Sequence, residues 1–235
     1  MKLFLLSIAC LYLGTAHAVA GFILNPYRFA TAGGSFLVNQ NFETATTGYD
    51  NGETWSESGT GTVEAANTGT VIVGSQSLQI NLAAQTGSTA VTFTAQGTLF
   101  TKFRFRVAST SSNPTIATIR NGTTTLGSLI LVGVNRTMRT MAAGGSNGSS
   151  SATLPLNTDI YIWLEYVKGT GSNAICRAGW ATTDSKPALT STGTQTCLSS
   201  NGTSTSDADT LYLGHTVSGT YECFYDAVQA SASAF

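Results

Sequence analysis

Apolar and polar residues alternate in short runs along this chain, and this pattern restricts its fold more than any other feature of the sequence. In residues 98–108, TLFTKFRFRVA, the apolar side chains Phe103, Phe105 and Val107 alternate with three cations. A period of two places alternate side chains on opposite faces of a β-strand. We therefore predict a strand here, with the aromatic face buried and the cations in solvent.

Several other runs show the same pattern, and none beyond the N-terminal apolar run shows the sustained period of a helix. Residues 126–134, 160–168 and 174–181 alternate similarly, and the turn sequence KGTGSN joins the last two into a hairpin. Short strands separated by glycine, asparagine and serine turns are typical of sandwiches and jelly rolls. We predict an all-β fold, a single antiparallel β-sandwich, with Trp163 and Trp180 in its core.

The charge of the chain argues against two classes of partner. There are 11 Lys and Arg against 12 Asp and Glu, the formal net charge is -1, and charged residues make up only 10% of the 235 residues. Binding to nucleic acid or to an anionic membrane surface relies on a basic patch or stripe. We therefore expect neither as a partner. The length suits one large β domain with a sizeable core.

The first 20 residues have the pattern of a secretory signal peptide. Lys2 precedes an apolar run over residues 3–14, and small residues at Ala18 and Ala20 offer a cleavage site. The apolar run is too short to cross a bilayer comfortably, and no second run follows it. We predict a signal peptide at residues 1–20, export of the mature chain and no stable membrane insertion.

Export would place Cys176, Cys197 and Cys223 in an oxidising compartment. Three cysteines allow one disulfide and one spare thiol. We predict a bridge between Cys176 and Cys197, because it would staple the long polar loop of residues 182–209. Connectivity cannot be proved from the sequence, and no cysteine or histidine spacing typical of a zinc site occurs.

Four segments resemble, in order, the recurring segments of concanavalin A-like jelly-roll domains. They are NFETATTGYDNGETW (41–55), GSQSLQI (74–80), DTLYLG (209–214) and FYDAVQAS (224–231). This superfamily includes legume-type lectins, laminin-G-like modules and several glycan-binding and glycan-cleaving domains. The resemblance covers residues 39–232. It implies a concanavalin A-like jelly roll at 39–235, preceded by an extended apolar segment and glycine hinge at 21–38.

The segment GFILNPYRFA, residues 21–30, is similar to the N-terminal segment of bacteriophage virion proteins that carry a laminin-G-like sandwich. This resemblance implies a non-catalytic structural, decoration or fibre protein at the virion surface. Its partners would be other virion or surface subunits, or further copies of the same chain. The residues that would make the docking contact are Phe22, Leu24, Tyr27, Arg28 and Phe29.

Two alternatives stay open for this N-terminal segment. It forms the first strand of the jelly roll, since terminal segments are often tied down by sheet pairing. Alternatively, translation begins near Val19, and there is no signal peptide. The predicted location is accordingly the virion surface or the extracellular space.

The sequence lacks the usual residues of hydrolytic sites, so we predict that the chain is not an enzyme. Glycosidases of this superfamily carry carboxylates at alternate positions of one strand, and no such run occurs. Glu53 and Glu57 flank Trp55, but they read as solvated carboxylates of a turn region. His215 is the one histidine beyond the signal peptide, which leaves a Ser-His-Asp site improbable.

The jelly-roll resemblance also implies a structural calcium site. In many jelly rolls a carboxylate near the first strand and another near the last lie close together and bind calcium through oxygen ligands. Glu43 and Asp226 match these places, and Asp50 is a weaker third ligand. The alternative is that Asp226 hydrogen-bonds a neighbouring turn and that Glu43 is solvated.

Two aromatic residues of a turn region are candidates for a carbohydrate platform. Sugar rings present apolar C–H faces, which stack on tryptophan and tyrosine rings. Tyr49 and Trp55 lie in a glycine-rich turn region, where side chains are more often at the surface than on a strand. They support the alternative function, a secreted lectin-like carbohydrate-binding module with a polysaccharide as its partner.

Overall fold

A computed structural model of the chain describes residues 36–44, 47–49, 52–133 and 135–235, the side chains of residues 151 and 216 excepted. The predicted signal peptide, Asp50 and the proposed docking residues Phe22, Leu24, Tyr27, Arg28 and Phe29 lie outside the described residues. Within these ranges, no helix is long and apolar enough to cross a membrane.

The fold is an all-β, antiparallel jelly-roll sandwich, as the sequence predicts. Every pair of named strands is antiparallel. The strands are Val38–Gln40 (β1), Trp55–Gly59 (β2), Thr62–Asn67 (β3), Ser77–Gln96 (β4), Thr98–Thr110 (β5), Thr115–Asn121 (β6), Thr124–Val132 (β7), Thr137–Ala142 (β8), Gly148–Thr153 (β9), Ile160–Val167 (β10), Ala174–Ala181 (β11), Thr196–Gly202 (β12) and Ala208–Ser231 (β13).

Two long strands, β4 and β13, run through both layers of the sandwich. Sheet I has the order β12-β11-β10-β5, then the C-terminal half of β13, the N-terminal half of β4, and β3. Sheet II has the order β9-β8-β7-β6, then the N-terminal half of β13, the C-terminal half of β4, and β2. β1 pairs with the end of β13 beyond the reach of β4.

The two long strands bend together where they pass from one sheet to the other. The register between them shifts between His215 and Gly219, a β-bulge of the kind that turns a strand. Gly214 has a φ of 97°, and a Cβ there would lie 2.5 Å from the carbonyl oxygen of Gly87. Only glycine fits this close approach, so the bend depends on it.

One side of the sandwich is closed by hydrogen bonds between the sheets, while the other side is open. Ser146 donates its N–H to the carbonyl of Ser200 in β12, and Thr203 donates to the carbonyl of Ala143. On the opposite side β2 ends sheet II and β3 ends sheet I. The gap between these two edge strands forms the candidate site.

The core confirms the alternation read in β5. Phe103 and Phe105 are fully buried, and Val107 is 1% exposed. Both phenyl rings pack against Tyr225, with ring centroids 5.7 and 5.1 Å away. The predicted hairpin is also present, because β10 pairs with β11 in register.

The prediction that the three cations of β5 lie in solvent is wrong. Lys102 pairs with Asp184, and both Arg104 and Arg106 pair with Asp159. Their side chains are only 15–24% exposed. The outer face of sheet I is covered by neighbouring segments that bring acidic partners, and sequence alternation cannot show this.

The two tryptophans predicted in the core are buried, but in different surroundings. Trp180 belongs to the core cluster between the sheets. Trp163 is 2% exposed on the outer face of sheet I. A Cβ on Gly179, its partner across the strand pair, would meet the side chains of Pro187 and Leu189. The segment after β11 therefore covers Trp163.

The predicted disulfide between Cys176 and Cys197 is not formed in this structure, where both are buried free thiols. β12 pairs beside β11 so that Cys176 faces Ser199 and Cys197 faces Ala178, which makes the two cysteines diagonal neighbours. Diagonal neighbours lie about 7–8 Å apart, beyond the usual Cα separation of a disulfide. The ends of the polar loop that follows β11 are held together instead by the backbone hydrogen bonds between β11 and β12.

We expect the thiols of Cys176 and Cys197 to resist alkylation in the native protein and to react on unfolding without reductant. Burial raises their pKa values to about 12 and about 11, so neither supplies thiolate at neutral pH. Peptide mapping after iodoacetamide treatment measures this. Labelling of unfolded protein that needs prior reduction would contradict the structure.

Candidate functional site

The candidate site is a cleft of about 610 Å³ at the open edge of the sandwich, which we call the edge cleft. Strand β2 forms one side and β3 the other, and the segment at residues 47–49 lies between them. The residues that line it are Thr47, Tyr49, Trp55, Glu57, Glu64, Ala65 and Ala66. This volume is within the usual range for small-molecule sites.

Tyr49 and Trp55, the two aromatics predicted to bind sugar, lie together in the edge cleft. Their rings are stacked, with centroids 5.6 Å apart and planes 10° apart. Both pack on the buried ring of Phe42, at 5.9 and 6.1 Å. Because Phe42 supports them from below, the pair is held as a rigid aromatic wall.

The polar ends of both aromatic side chains have partners. The Tyr49 hydroxyl lies 2.9 Å from Oε1 of Glu57 and 2.8 Å from Oγ1 of Thr89. Trp55 donates its indole N–H to Oε2 of Glu53 at 3.1 Å. Burial, together with the charge of Glu57, raises the pKa of Tyr49 above its usual value. The phenol therefore stays protonated at neutral pH and acts as a hydrogen-bond donor.

Sequence reasoning missed two carboxylates of this site. Glu57, read as a solvated turn carboxylate, lies on β2 and faces Thr89 of β4 across the strand pair. Glu64 reaches the same cleft from β3. Only the folding of the chain brings β2 and β3 to the same edge. The lining contains two carboxylates and two hydroxyls but no cation, so it suits a neutral ligand rich in hydroxyl groups.

The predicted calcium ligands Glu43 and Asp226 lie against a single loop, residues 68–76, that joins β3 to β4. Glu43 accepts hydrogen bonds from the N–H and the hydroxyl of Ser75, at 3.0 and 2.6 Å. Asp226 accepts from the N–H of Val73 at 2.9 Å and from the hydroxyl of Ser77 at 3.0 Å. The β3–β4 loop thus donates hydrogen bonds to both carboxylates.

Strained backbone surrounds these carboxylates. Phe42, next to Glu43, has a φ of 59°, and Ala227, next to Asp226, has a φ of 46°. Non-glycine residues seldom adopt positive φ, and such residues cluster at ligand sites. Burial raises the pKa of Asp226 to about 7, and the charge of Glu43 contributes to the same shift. In the described ranges, no cluster of three or more His, Cys, Asp or Glu side chains surrounds a metal position.

Comparisons with known proteins show the fold of the chain and no sequence family. No protein-family model matches the sequence, and no curated protein matches it. Among solved structures, an endo-β-1,4-glucuronan lyase from the fungus Trichoderma reesei has a TM-score of 0.52 at 12% identity, over 85% of this chain and 96% of the lyase. The cellulose-induced protein Cip1 has a TM-score of 0.54 at 13% identity, over 84% of this chain and 98% of Cip1.

A third structural neighbour is the alginate lyase of Aplysia kurodai. Its TM-score is 0.52 at 8% identity, and the match covers 83% of this chain and 98% of the lyase. All three neighbours share the jelly-roll architecture of this chain. At these identities the likeness shows the fold alone.

These neighbours correct two predictions made from the sequence. The prediction that the chain is not an enzyme is wrong, since polysaccharide lyases share its fold. That prediction rested on missing hydrolase residues, and a lyase does not need the carboxylate pair of a glycosidase. The prediction of a non-catalytic phage virion component is wrong for the same reason. The alternative, a carbohydrate-binding protein, agrees better with these neighbours.

Proposed function

We propose that this protein binds a carbohydrate in the edge cleft, with a neutral or hydroxyl-rich sugar as its ligand. The stacked pair of Tyr49 and Trp55 carries the proposal. An aromatic face receives the C–H face of a sugar ring, and polar groups beside it fix the orientation. Glu57 and Glu64 line the same cleft and are exposed, so their oxygens are available to sugar hydroxyls.

Two structural observations and one prediction from the sequence support this proposal. The cleft is open at the side of the sandwich, so a polysaccharide chain can pass through it without threading. Phe42 and Glu53 hold the aromatic pair in position before any ligand arrives, which lowers the entropy cost of binding. The predicted signal peptide fits an extracellular site of action, where polysaccharides are encountered.

Retention on immobilised neutral polysaccharides tests the proposal. We expect the wild-type chain to be delayed in native gels that contain a neutral β-glucan or mannan, relative to gels without polysaccharide. Migration that is unaffected by every neutral polysaccharide and oligosaccharide would overturn the proposal.

We propose in addition that Glu43 and Asp226 hold a calcium ion that fixes the β3–β4 loop to the end of β13. Carboxylate, hydroxyl and backbone carbonyl oxygens are the ligands that calcium prefers. Asp226 is buried and Glu43 is half-buried, and the charge of Glu43 contributes to the raised pKa of Asp226, so a cation that neutralises both carboxylates would stabilise them. Their chemistry therefore fits the ion.

Without calcium, we expect stability to fall as pH rises from about 4 to about 7. The pKa of Asp226 is about 7 in the folded chain, and about 3.9 is usual for an unfolded one, so the native state binds more protons in this interval. The loss is on the order of 1 kcal/mol per pH unit. Thermal melts in chelator, compared with Asp226→Asn, isolate this contribution.

At pH 8, calcium should restore the stability that the wild-type chain loses in chelator, while Asp226→Asn should respond weakly to the ion. Occupation of the native site stabilises the fold by mass action. Identical wild-type melts with calcium and with chelator at pH 8 would rule out the calcium proposal and leave the carbohydrate proposal untouched.

A further inference from the structure

The outer face of sheet II carries a group of aromatic, hydroxyl and cationic side chains. It differs in charge from the edge cleft, whose lining contains no cation. Leu211, Ile119 and Leu129 of adjacent strands are fully buried in the core. Their chain neighbours Tyr212 and Ser128 therefore project from the opposite, outer face. A single row across β13, β6, β7 and β8 comprises Tyr212, Thr118, Ser128 and Met141.

We refer to the outer face of sheet II around this row as the trough. Thr118 and Ser128 are only 3% and 5% exposed although they lie on an outer face. Neighbouring side chains therefore cover them, whereas Met141, at one end of the row, is 37% exposed. The accessible part of this face consists of the side chains around the two hydroxyls.

Two arginines stand at this trough without an anionic partner. The guanidinium carbon of Arg120 lies 4.1 Å from the ring centroid of Tyr212. Arg139 projects from the same face, since its neighbours Met138 and Thr140 are fully buried on the inner side. The Nε atoms of both arginines are buried and unpartnered.

The other cations of the described ranges are accounted for. Arg136 donates to the backbone carbonyl of Leu154. The remaining ones, each in an ion pair, are Lys102, Arg104, Arg106, Lys168, Arg177 and Lys186. Only Arg120 and Arg139, among described cations, thus form neither an ion pair nor a side-chain hydrogen bond. A half-buried cation without an anion is unfavourable, and an anionic ligand removes that cost.

The spacing of the two arginines indicates an extended ligand. Arg120 faces Thr125 of β7, and Arg139 faces Ile130 of the same strand. These positions are about 16 Å apart along β7 at the usual rise per residue of a strand. A single small anion cannot reach both guanidinium groups, whereas a linear polymer with repeated negative charges can.

We propose that this trough is a second binding site, which takes an anionic polysaccharide through its carboxylate or sulfate groups. The planar guanidinium of arginine binds both anions through paired hydrogen bonds. Tyr212 holds the Arg120 guanidinium flat against the sheet. The site is independent of the edge cleft, whose lining contains no cation.

Fluorescence anisotropy with labelled oligosaccharides of about ten residues tests the site on the full chain. The probes are an oligogalacturonate, a sulfated heparin-type oligosaccharide and a neutral cello-oligosaccharide. We expect Arg120→Gln and Arg139→Gln each to weaken acidic binding about tenfold, and the double variant more, since each substitution removes charge-assisted hydrogen bonds to the ligand. Arg120→Lys should fall between Arg120→Gln and the wild type.

Lys102→Gln is the matched control, because it removes one positive charge from the outer face of the other sheet. We expect it to change acidic binding less than about twofold, because the site is local. Trp55→Ala should leave acidic binding unchanged, which separates this site from the edge cleft. Melting temperatures verify that each variant is folded.

Several results would overturn the proposal. These are no binding of either acidic probe by the wild type, equal binding by the double variant, or an equal loss in Lys102→Gln. Equally tight binding of a single-stranded DNA oligonucleotide of the same charge would show a general polyanion surface instead of a polysaccharide site. Preference for one acidic probe identifies the anion that the arginines select.

Discussion

Trp55→Ala should lose at least about 2 kcal/mol of carbohydrate binding, or roughly thirtyfold in affinity, as is typical for a tryptophan at the centre of a site. The indole supplies one ring of the stacked wall and holds the other, since Tyr49 packs against it with centroids 5.6 Å apart. Without the indole, the Tyr49 ring loses one of its two aromatic supports. Isothermal titration with the neutral oligosaccharide that the wild type retains measures the loss.

Two further variants separate the contributions of the wall. Trp55→Phe keeps an aromatic face and removes the hydrogen bond to Glu53, so its loss should be smaller. Tyr49→Phe keeps both ring faces and removes the hydroxyl between Glu57 and Thr89. Its loss should be about 1 kcal/mol, the usual net value of a hydrogen bond.

Tyr161→Ala provides the matched control for the aromatic wall. Tyr161 is stacked on Trp163 with centroids 6.0 Å apart, so it belongs to a similar pair away from the edge cleft. We expect it to leave neutral-sugar affinity unchanged. Equal affinity of Trp55→Ala and wild type, with both proteins folded, would remove the aromatic wall from the proposed function.

The part of the fold that the sequence predicts is the part that depends on local periodicity. The alternation in β5 predicts a strand and correctly puts Phe103 and Phe105 in the core. The same alternation cannot tell what covers the other face. Whether Lys102 meets solvent or Asp184 depends on a segment about 80 residues away in the sequence. This is why the prediction of solvated cations fails.

Strand register is the second quantity that a local stretch of the sequence does not determine. Cys176 and Cys197 lie on adjacent strands, as a bridge requires, but diagonally. A register shift of two residues along the strand would have placed them opposite each other. Register follows from the whole pattern of inward side chains, so one cysteine pair does not determine it.

The candidate site shows the same division between local and distant information. Tyr49 and Trp55 are found from the sequence because a turn region favours the surface, and both lie in the edge cleft, although Trp55 begins β2. Glu64 has no such signal, because it becomes part of the site only when β3 and β2 meet at one edge. Arg120 and Arg139 likewise share a surface only after β6, β7 and β8 pair.

Some ion-paired carboxylates of the described residues are buried and others are exposed. We expect the buried ones to have the larger effect on the stability of the fold. Glu165 of β10 has a side chain that is only 3% exposed, and it pairs with two cations. Its Oε2 accepts from Nε of Arg177 at 2.6 Å, and its Oε1 accepts from Nζ of Lys186. Lys186 follows β11, so this carboxylate holds the covering segment to sheet I.

Glu165→Gln should destabilise the fold by about 3–5 kcal/mol, the usual effect of breaking a buried ion pair at one partner. The substitution keeps the size of the side chain but leaves Arg177 and Lys186, 30% and 26% exposed, without their counter-charge. The expected fall in melting temperature is about 6–20 °C for a domain of this size. Urea unfolding gives the free energy directly.

Asp207→Asn is the matched control, because it makes the same chemical change in an exposed pair. Asp207 and its partner Lys168 have side chains that are 40% and 43% exposed. Exposed ion pairs contribute about 0–1 kcal/mol, because water screens them and both side chains lose entropy in pairing. A Glu165→Gln protein no less stable than Asp207→Asn would mean that hydrogen bonds of the covering segment hold it without the buried charge.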